Sequence, residues 1–148
     1  MKAFTLAAGL ILATASVVGQ TQQNSDERPC ISNSINVATA NIQNAKRNYL
    51  WTLQSDNDGV VESALAYVVQ LRIILPREDM KAIESVVGDL ALNGPTPVIR
   101  YKAYLATQVF ANPQTFCEVA SANYASSDQF FSALGLRLQQ TMLGYSSH

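Results

Sequence analysis

DGVVESALAYVVQLRIILP, residues 58–76, decides how this chain folds. Val61, Ala64, Leu65, Val68, Leu71, Arg72 and Leu75 recur at steps of three and four, which brings them onto one face of an α-helix at about 3.6 residues per turn. Pro76 stops the run, because proline has no N–H and its ring collides with the preceding turn. Ahead of it, SDNDG at 55–59 supplies turn formers, and either Asp56 or Asp58 can cap the first exposed backbone N–H groups. The stretch is more apolar than its neighbours, so it is expected to be the most deeply buried helix.

Both flanks read in the same way. Upstream, Ile35, Ala38, Ile42, Ala45, Tyr49 and Leu53 form an apolar stripe, with Asn41, Gln43, Asn44, Lys46, Arg47 and Asn48 mostly on the other side. Downstream, a helix is expected over 77–92, with Glu78 and Asp79 in its first turn and Ile83, Val86, Val87, Leu90 and Ala91 inward. Asn93-Gly94 closes it. Thr96-Pro97 opens the next helix with a capping hydroxyl and a proline that needs no donor. Its stripe is Ile99, Ala103, Ala106, Val109 and Phe110, and Asn112-Pro113 ends it. A short helical segment over 113–122 carries Cys117, and Ser126, Ser127 and Asp128 cap a last helix with Phe130, Phe131, Leu134, Leu138, Met142 and Tyr145 inward. No run alternates apolar and polar residues, so no strand is predicted. Residues 33–146 therefore read as a single all-α domain of five to six short antiparallel helices, either an irregular bundle or a stack of helical hairpins.

The capped starts at Asp58 and Thr96 lie 38 positions apart (96 − 58). Continued without gaps, the overlay sets Val61 on Ile99, Leu65 on Ala103, Val68 on Ala106, Gln70 on Gln108 and Leu71 on Val109. TPVIRYKAYLA, residues 96–106, resembles the opening of a HEAT-type unit, and residues 56–112 resemble the HEAT and armadillo helical repeats. That resemblance implies stacked hairpins and a protein-binding surface, with no particular chemistry.

The first nineteen residues, MKAFTLAAGLILATASVVG, have a positive start at Lys2 and an uncharged apolar stretch over Phe4–Val18, followed by a polar run. This is the pattern of a secretory signal peptide, and the bond after Gly19 is the favoured cleavage point. The apolar stretch is short for a membrane span, which needs about 20 residues. A lipoprotein route would need a cysteine directly after it, whereas Cys30 lies eleven positions past Gly19. Residues 20–32 then read as a flexible leader. The expected location is secreted or periplasmic, with no stable membrane span after cleavage.

Export changes the reading of Cys30 and Cys117, the two cysteines of the chain. In an oxidising compartment they have one intramolecular pairing, and a disulfide is expected over the alternative of two buried thiols. The nine Lys and Arg of residues 20–148 stand against eleven Asp and Glu, with no basic cluster longer than Lys46-Arg47. Neutralising phosphates needs a concentrated basic surface, so a nucleic-acid partner is not expected.

Chemistry has little to work with. His148, the single histidine, is the last residue, which leaves no positioned base for Ser-His-Asp or Cys-His mechanisms and no His/Cys zinc site. Asp56, Asp58 and Glu62 do not follow the spacing of a calcium-binding loop. Glu78, Asp79, Glu84, Asp89 and Glu118 fall at helix starts or on polar faces, and no glycine-rich phosphate loop is present. No catalytic, cofactor or metal residue is assigned. The candidate contact surface is Arg100, Tyr101, Lys102 and Tyr104, extended by Tyr67 and Trp51, since tyrosine and arginine are enriched at binding hot spots. The competing reading buries Tyr104 between helices, pairs Arg100 with Glu62 and packs Trp51 beside the second helix. The expected function is a non-catalytic exported domain that binds a protein or a cell-envelope component. A carrier of a small apolar ligand or lipid comes second, and a carboxylate-based hydrolase third.

Overall fold

The structure, a computed structural model, describes Cys30 and residues 39–144. The expected signal peptide, the leader apart from Cys30, the start of the first helix over 33–38, Tyr145 and His148 lie outside the described residues. Six α-helices follow in order: α1 (Thr39–Thr52), α2 (Asp58–Ile74), α3 (Lys81–Asn93), α4 (Pro97–Ala111), α5 (Cys117–Ala120) and α6 (Ser127–Gly144). A 3-10 turn, Pro113–Phe116, leads directly into α5. There is no strand among the described residues, and the fold is all-α as the periodicity indicates.

The core is shared between α2 and α4, which bury seven residues each. Leu65, Val68, Val69 and Ile73 of α2 meet Ile99, Ala103, Ala106 and Val109 of α4 in one cluster with Ile83, Val87, Phe130, Phe131 and Leu134. Each large aliphatic or aromatic side chain taken fully from water there contributes roughly 1.5–3 kcal/mol before conformational entropy is charged against it. α4 packs mainly on α3 and α2, while α2 also touches α1, α5, α6 and the 3-10 turn. Neighbours on several sides widen the buried stripe of α2 beyond the face drawn from the sequence. Val69 and Ile73 are therefore fully buried, whereas Leu71 and Leu75 at the stripe edge are half-buried.

Local chemistry sets the helix ends. The cap of α2 is Asn57, not Asp56 or Asp58. Its extended backbone lets Oδ1 accept from Val60 N at 3.3 Å, and Ser55 Oγ accepts from Asn57 N. Thr96 caps α4 as expected, its Oγ1 accepting from Ile99 N at 3.2 Å. The two caps thus stand one residue off the 38-residue register, although Val61, Leu65 and Val68 and their overlaid residues on α4 are all buried. α3 begins at Lys81 rather than near Arg77, because 77–80 is held out as a loop. Lys46 Nζ donates to Glu78 Oε1 and to the Asp79 carbonyl, both at 2.7 Å, and Asp79 Oδ1 accepts from Lys81 N. At α6, Ser126 Oγ accepts from Gln129 N while Gln129 Oε1 accepts from Ala125 N, a reciprocal cap close to the capping-box pattern.

Gly94 closes α3 where space is tightest. A Cβ placed there would lie 2.5 Å from the Leu90 carbonyl oxygen and 3.1 Å from Ile99 Cγ2. Gly94→Ala is expected to cost about 1–2 kcal/mol in urea unfolding, because the obstructing atom is backbone and the site is buried. Gly88→Ala, where an added Cβ meets nothing within 4 Å, should instead be neutral or stabilising.

Cys30 and Cys117 are bonded, with Cα atoms 5.0 Å apart and a sequence separation of 87. The bond ties the N-terminal side of the chain to the short α5. Phe116 and Val119 anchor the same region in the core, and Arg137 Nε donates to the Thr115 carbonyl at 2.9 Å.

Candidate functional site

Two recesses share one wall on α2. The first is an apolar groove of about 400 Å³ between α1 and α2, lined by Tyr49 and Thr52 on one side and Val60, Ala64 and Tyr67 on the other. Its walls come from residues at helical spacing, three, four and seven positions apart, so each helix presents a continuous edge. The rings of Tyr49 and Tyr67 lie 6.2 Å apart and 21° from parallel, a stacked pair across the groove. Burial, then the neighbouring Tyr67 phenol, raises the pKa of the Tyr49 hydroxyl, which keeps it protonated as a donor. No charged residue lines this groove.

The second recess is a polar cleft of about 420 Å³, where α2 crosses the loop between α5 and α6. Ser63 and Tyr67 border both recesses, so this pair on α2 is the ridge between them. Beyond the ridge the cleft presents Gln70, Asn123, Tyr124, Ser126 and Ser127. The Tyr124 ring meets Phe130 edge-on at 5.4 Å, which fixes its direction, and burial raises its phenol pKa. A third recess, of about 470 Å³, lies between α1 and the start of α3 and carries Lys46, Arg47, Asp79 and Lys81. Lys46 there is already committed to Glu78.

The six expected contact residues separate. Tyr67, Tyr101 and Tyr104 are exposed, and Tyr67 alone among them lines the two recesses on α2. Tyr101 belongs to another face: a Cβ built on Gly135 of α6 would lie 2.9 Å from its hydroxyl. Arg100 is half-buried and donates from Nη1 to the Gly94 carbonyl at 2.7 Å, so it fastens the α3–α4 corner and does not pair with Glu62. Lys102 departs furthest from its expected place on the surface. At 4% exposure it is the one buried charged residue among the described residues, donating to Glu62 of α2 and Asp128 of α6. Its ammonium lies 5.6 Å from the centre of the Phe131 ring. Burial alone would lower its pKa; the hydrogen bonds to Asp128 and Glu62 and the two carboxylate charges outweigh that, and the net shift is upward. Trp51 stands out into solvent at 80% exposure and fills no gap beside α2.

Sequence reasoning missed Gln70, Asn123 and Tyr124 as site residues. None sits in a motif, and their proximity arises only when the loop after α5 folds across α2. Among the described residues, no group of three or more His, Cys, Asp or Glu side chains is placed to hold a metal ion. No described helix is long and apolar enough to cross a membrane. Comparison with protein-family models, curated proteins and solved structures yields no match.

Proposed function

We propose that this chain is an exported, non-catalytic helical binding domain whose partner is a protein or a cell-envelope component. The observation that carries this reading is the exposed, uncharged aromatic surface built on α2, where Tyr67 stands between an apolar groove and a polar cleft. A half-exposed tyrosine held by a stacked neighbour offers area and a polar handle at little conformational cost, the usual composition of a binding hot spot. The signal-like first nineteen residues and the disulfide support an oxidising location outside the cytosol. The similar burial at overlaid positions of α2 and α4 fits hairpin stacking of the HEAT kind and equally an irregular bundle whose helices start alike.

The test uses the exported protein as bait against surface extracts of its own source. A partner retained by the wild type should be lost with Val60→Glu, which sets a charge in the apolar groove, and kept with Arg47→Glu, which lies outside it. The expected loss is at least about tenfold in affinity, since an unpaired charge enters a desolvated contact. A partner bound equally by both variants would move the binding surface elsewhere.

A further inference from the structure

We infer that the polar cleft bordered by Tyr67, Gln70, Asn123 and Tyr124 binds a neutral sugar chain. This names a ligand for the binding domain proposed above and rests on that reading. The first observation is what the lining lacks. Serines, amides, alanines and aromatic rings line the cleft, with no lysine, arginine, aspartate or glutamate among them. A phosphate, carboxylate or ammonium entering it would lose its hydration without an opposite charge in return. Polynucleotides and acidic polysaccharides are disfavoured on that ground.

The second observation is what the lining offers. Hydroxyls and primary amides both donate and accept, the pairing demanded by sugar hydroxyls, which do the same from adjacent carbons. Gln70 and Asn123 make no side-chain hydrogen bond to another described residue, so both amides are available to a ligand. The two hydroxyls already engaged keep capacity to spare: Ser63 Oγ donates to the Gly59 carbonyl and still accepts, while Ser126 Oγ accepts from Gln129 N and still donates. Tyr124 keeps its phenolic proton and can donate.

The third observation is Tyr67. Its ring borders the cleft and is 56% exposed, while the stack on Tyr49 restrains it. A pyranose ring carries C–H bonds on its faces and hydroxyls on its rim. It can therefore lay one face on an aromatic ring while its rim meets the polar lining. A peptide would be served less well here, because apolar anchors gain little from a cleft whose large apolar residue, Phe130, is fully buried. The volume of about 420 Å³ is within the range of small-ligand sites and open enough for a chain to continue past it.

The experiment is calorimetric titration of the full exported chain with neutral hexasaccharides of β-glucan, mannan and chitin type, alongside an oligogalacturonate hexamer. At least one neutral hexamer should bind saturably, with an affinity that varies by less than about twofold between low and high salt. Tyr67→Ala and the pair Gln70→Ala/Asn123→Ala should each weaken it by about tenfold or more. Arg47→Glu, which lies outside both recesses on α2, should leave it unchanged. Tyr67 and Asn123 are exposed and Gln70 is half-buried without a side-chain partner, so circular dichroism of these variants should match the wild type. Repeating the measurement by co-sedimentation with the insoluble polymers separates a surface polysaccharide from a free oligosaccharide as the source. Failure of every neutral hexamer and polymer to bind, or tighter and salt-sensitive binding of the galacturonate, would overturn the inference. If a partner sensitive to Val60→Glu persisted in that case, the binding-domain reading would stand without the sugar.

Discussion

Serine at both Cys30 and Cys117 lowers the stability of the domain by about 3–4 kcal/mol. The bond joins cysteines separated by 87 in sequence, a loop for which chain-entropy arguments give roughly 4–5 kcal/mol. Measured losses in small secreted domains commonly fall somewhat lower, which sets the expected range. A second contribution is local. α5 is four residues long, far too short to persist alone, and the bond holds its first residue against the chain at Cys30. Thermal unfolding should fall by roughly 10 °C. The slope of unfolding against urea should rise, because a chain freed of its cross-link exposes more surface when unfolded. Urea titrations of the oxidised wild type and of the double variant check both quantities. A loss under about 1 kcal/mol would mean that the bond restricts the unfolded chain very little.

Lys102→Ala is the second large effect, an expected loss of about 2–3 kcal/mol. Removing a buried partner from an ion pair can cost ~3–5 kcal/mol when the remaining charge stays dry. Here the loss is smaller, because Asp128 is largely exposed and Glu62 partly so, and both can take up water once the ammonium is gone. Lys102→Met keeps an aliphatic stem at this buried position while deleting the charge and its place over the Phe131 ring, and it should stay within about 1 kcal/mol of wild type. The pair of variants thereby separates packing from charge. The wild type should also show a pH signature. The folded-state pKa of Lys102 is raised above the ordinary 10.5, so its contribution is fully present below that value and is lost as pH rises through the folded-state pKa. The stability gap between wild type and Lys102→Met should therefore move against the wild type between neutral and strongly alkaline pH. Parallel urea melts at the two conditions measure it, and a gap that does not move would remove the charge from the account.

Lys102 also marks where the sequence stops being legible. Within RYKAY it has the surroundings of a solvent-facing lysine, and its two acceptors come from helices 40 and 26 residues away. No local signal could join those three positions. By contrast, every residue of the expected α4 stripe, Ile99, Ala103, Ala106, Val109 and Phe110, is buried, although Leu105 is buried beside them from outside that stripe. α2 was readable in kind but not in width, because neighbours on several sides also take in Val69 and Ile73. The Thr96-Pro97 cap and the breaks at Pro76 and Pro113 followed from backbone chemistry alone, whereas the late start of α3 depends on Lys46, a residue of another helix. The candidate site divides similarly. Tyr67 could be singled out as an aromatic at a helical position, and the pairing of Cys30 with Cys117 followed from there being two cysteines. Gln70 and Asn123 become neighbours of one cleft only through the crossing of α2 by the loop after α5.

Ser63 and Tyr67 wall both recesses, so occupants of the two would act on the same ring. A side chain that walls both cannot be displaced by an occupant of one without reshaping the other, and a ligand that pins the ring removes freedom that the second would otherwise have to remove. Any such influence is mutual: whatever factor the first occupant applies to the affinity of the second, the second applies to the first. One tyrosine would thus link two adjacent surfaces once both are occupied, with a sign set by whether the ring is held in place or pushed aside.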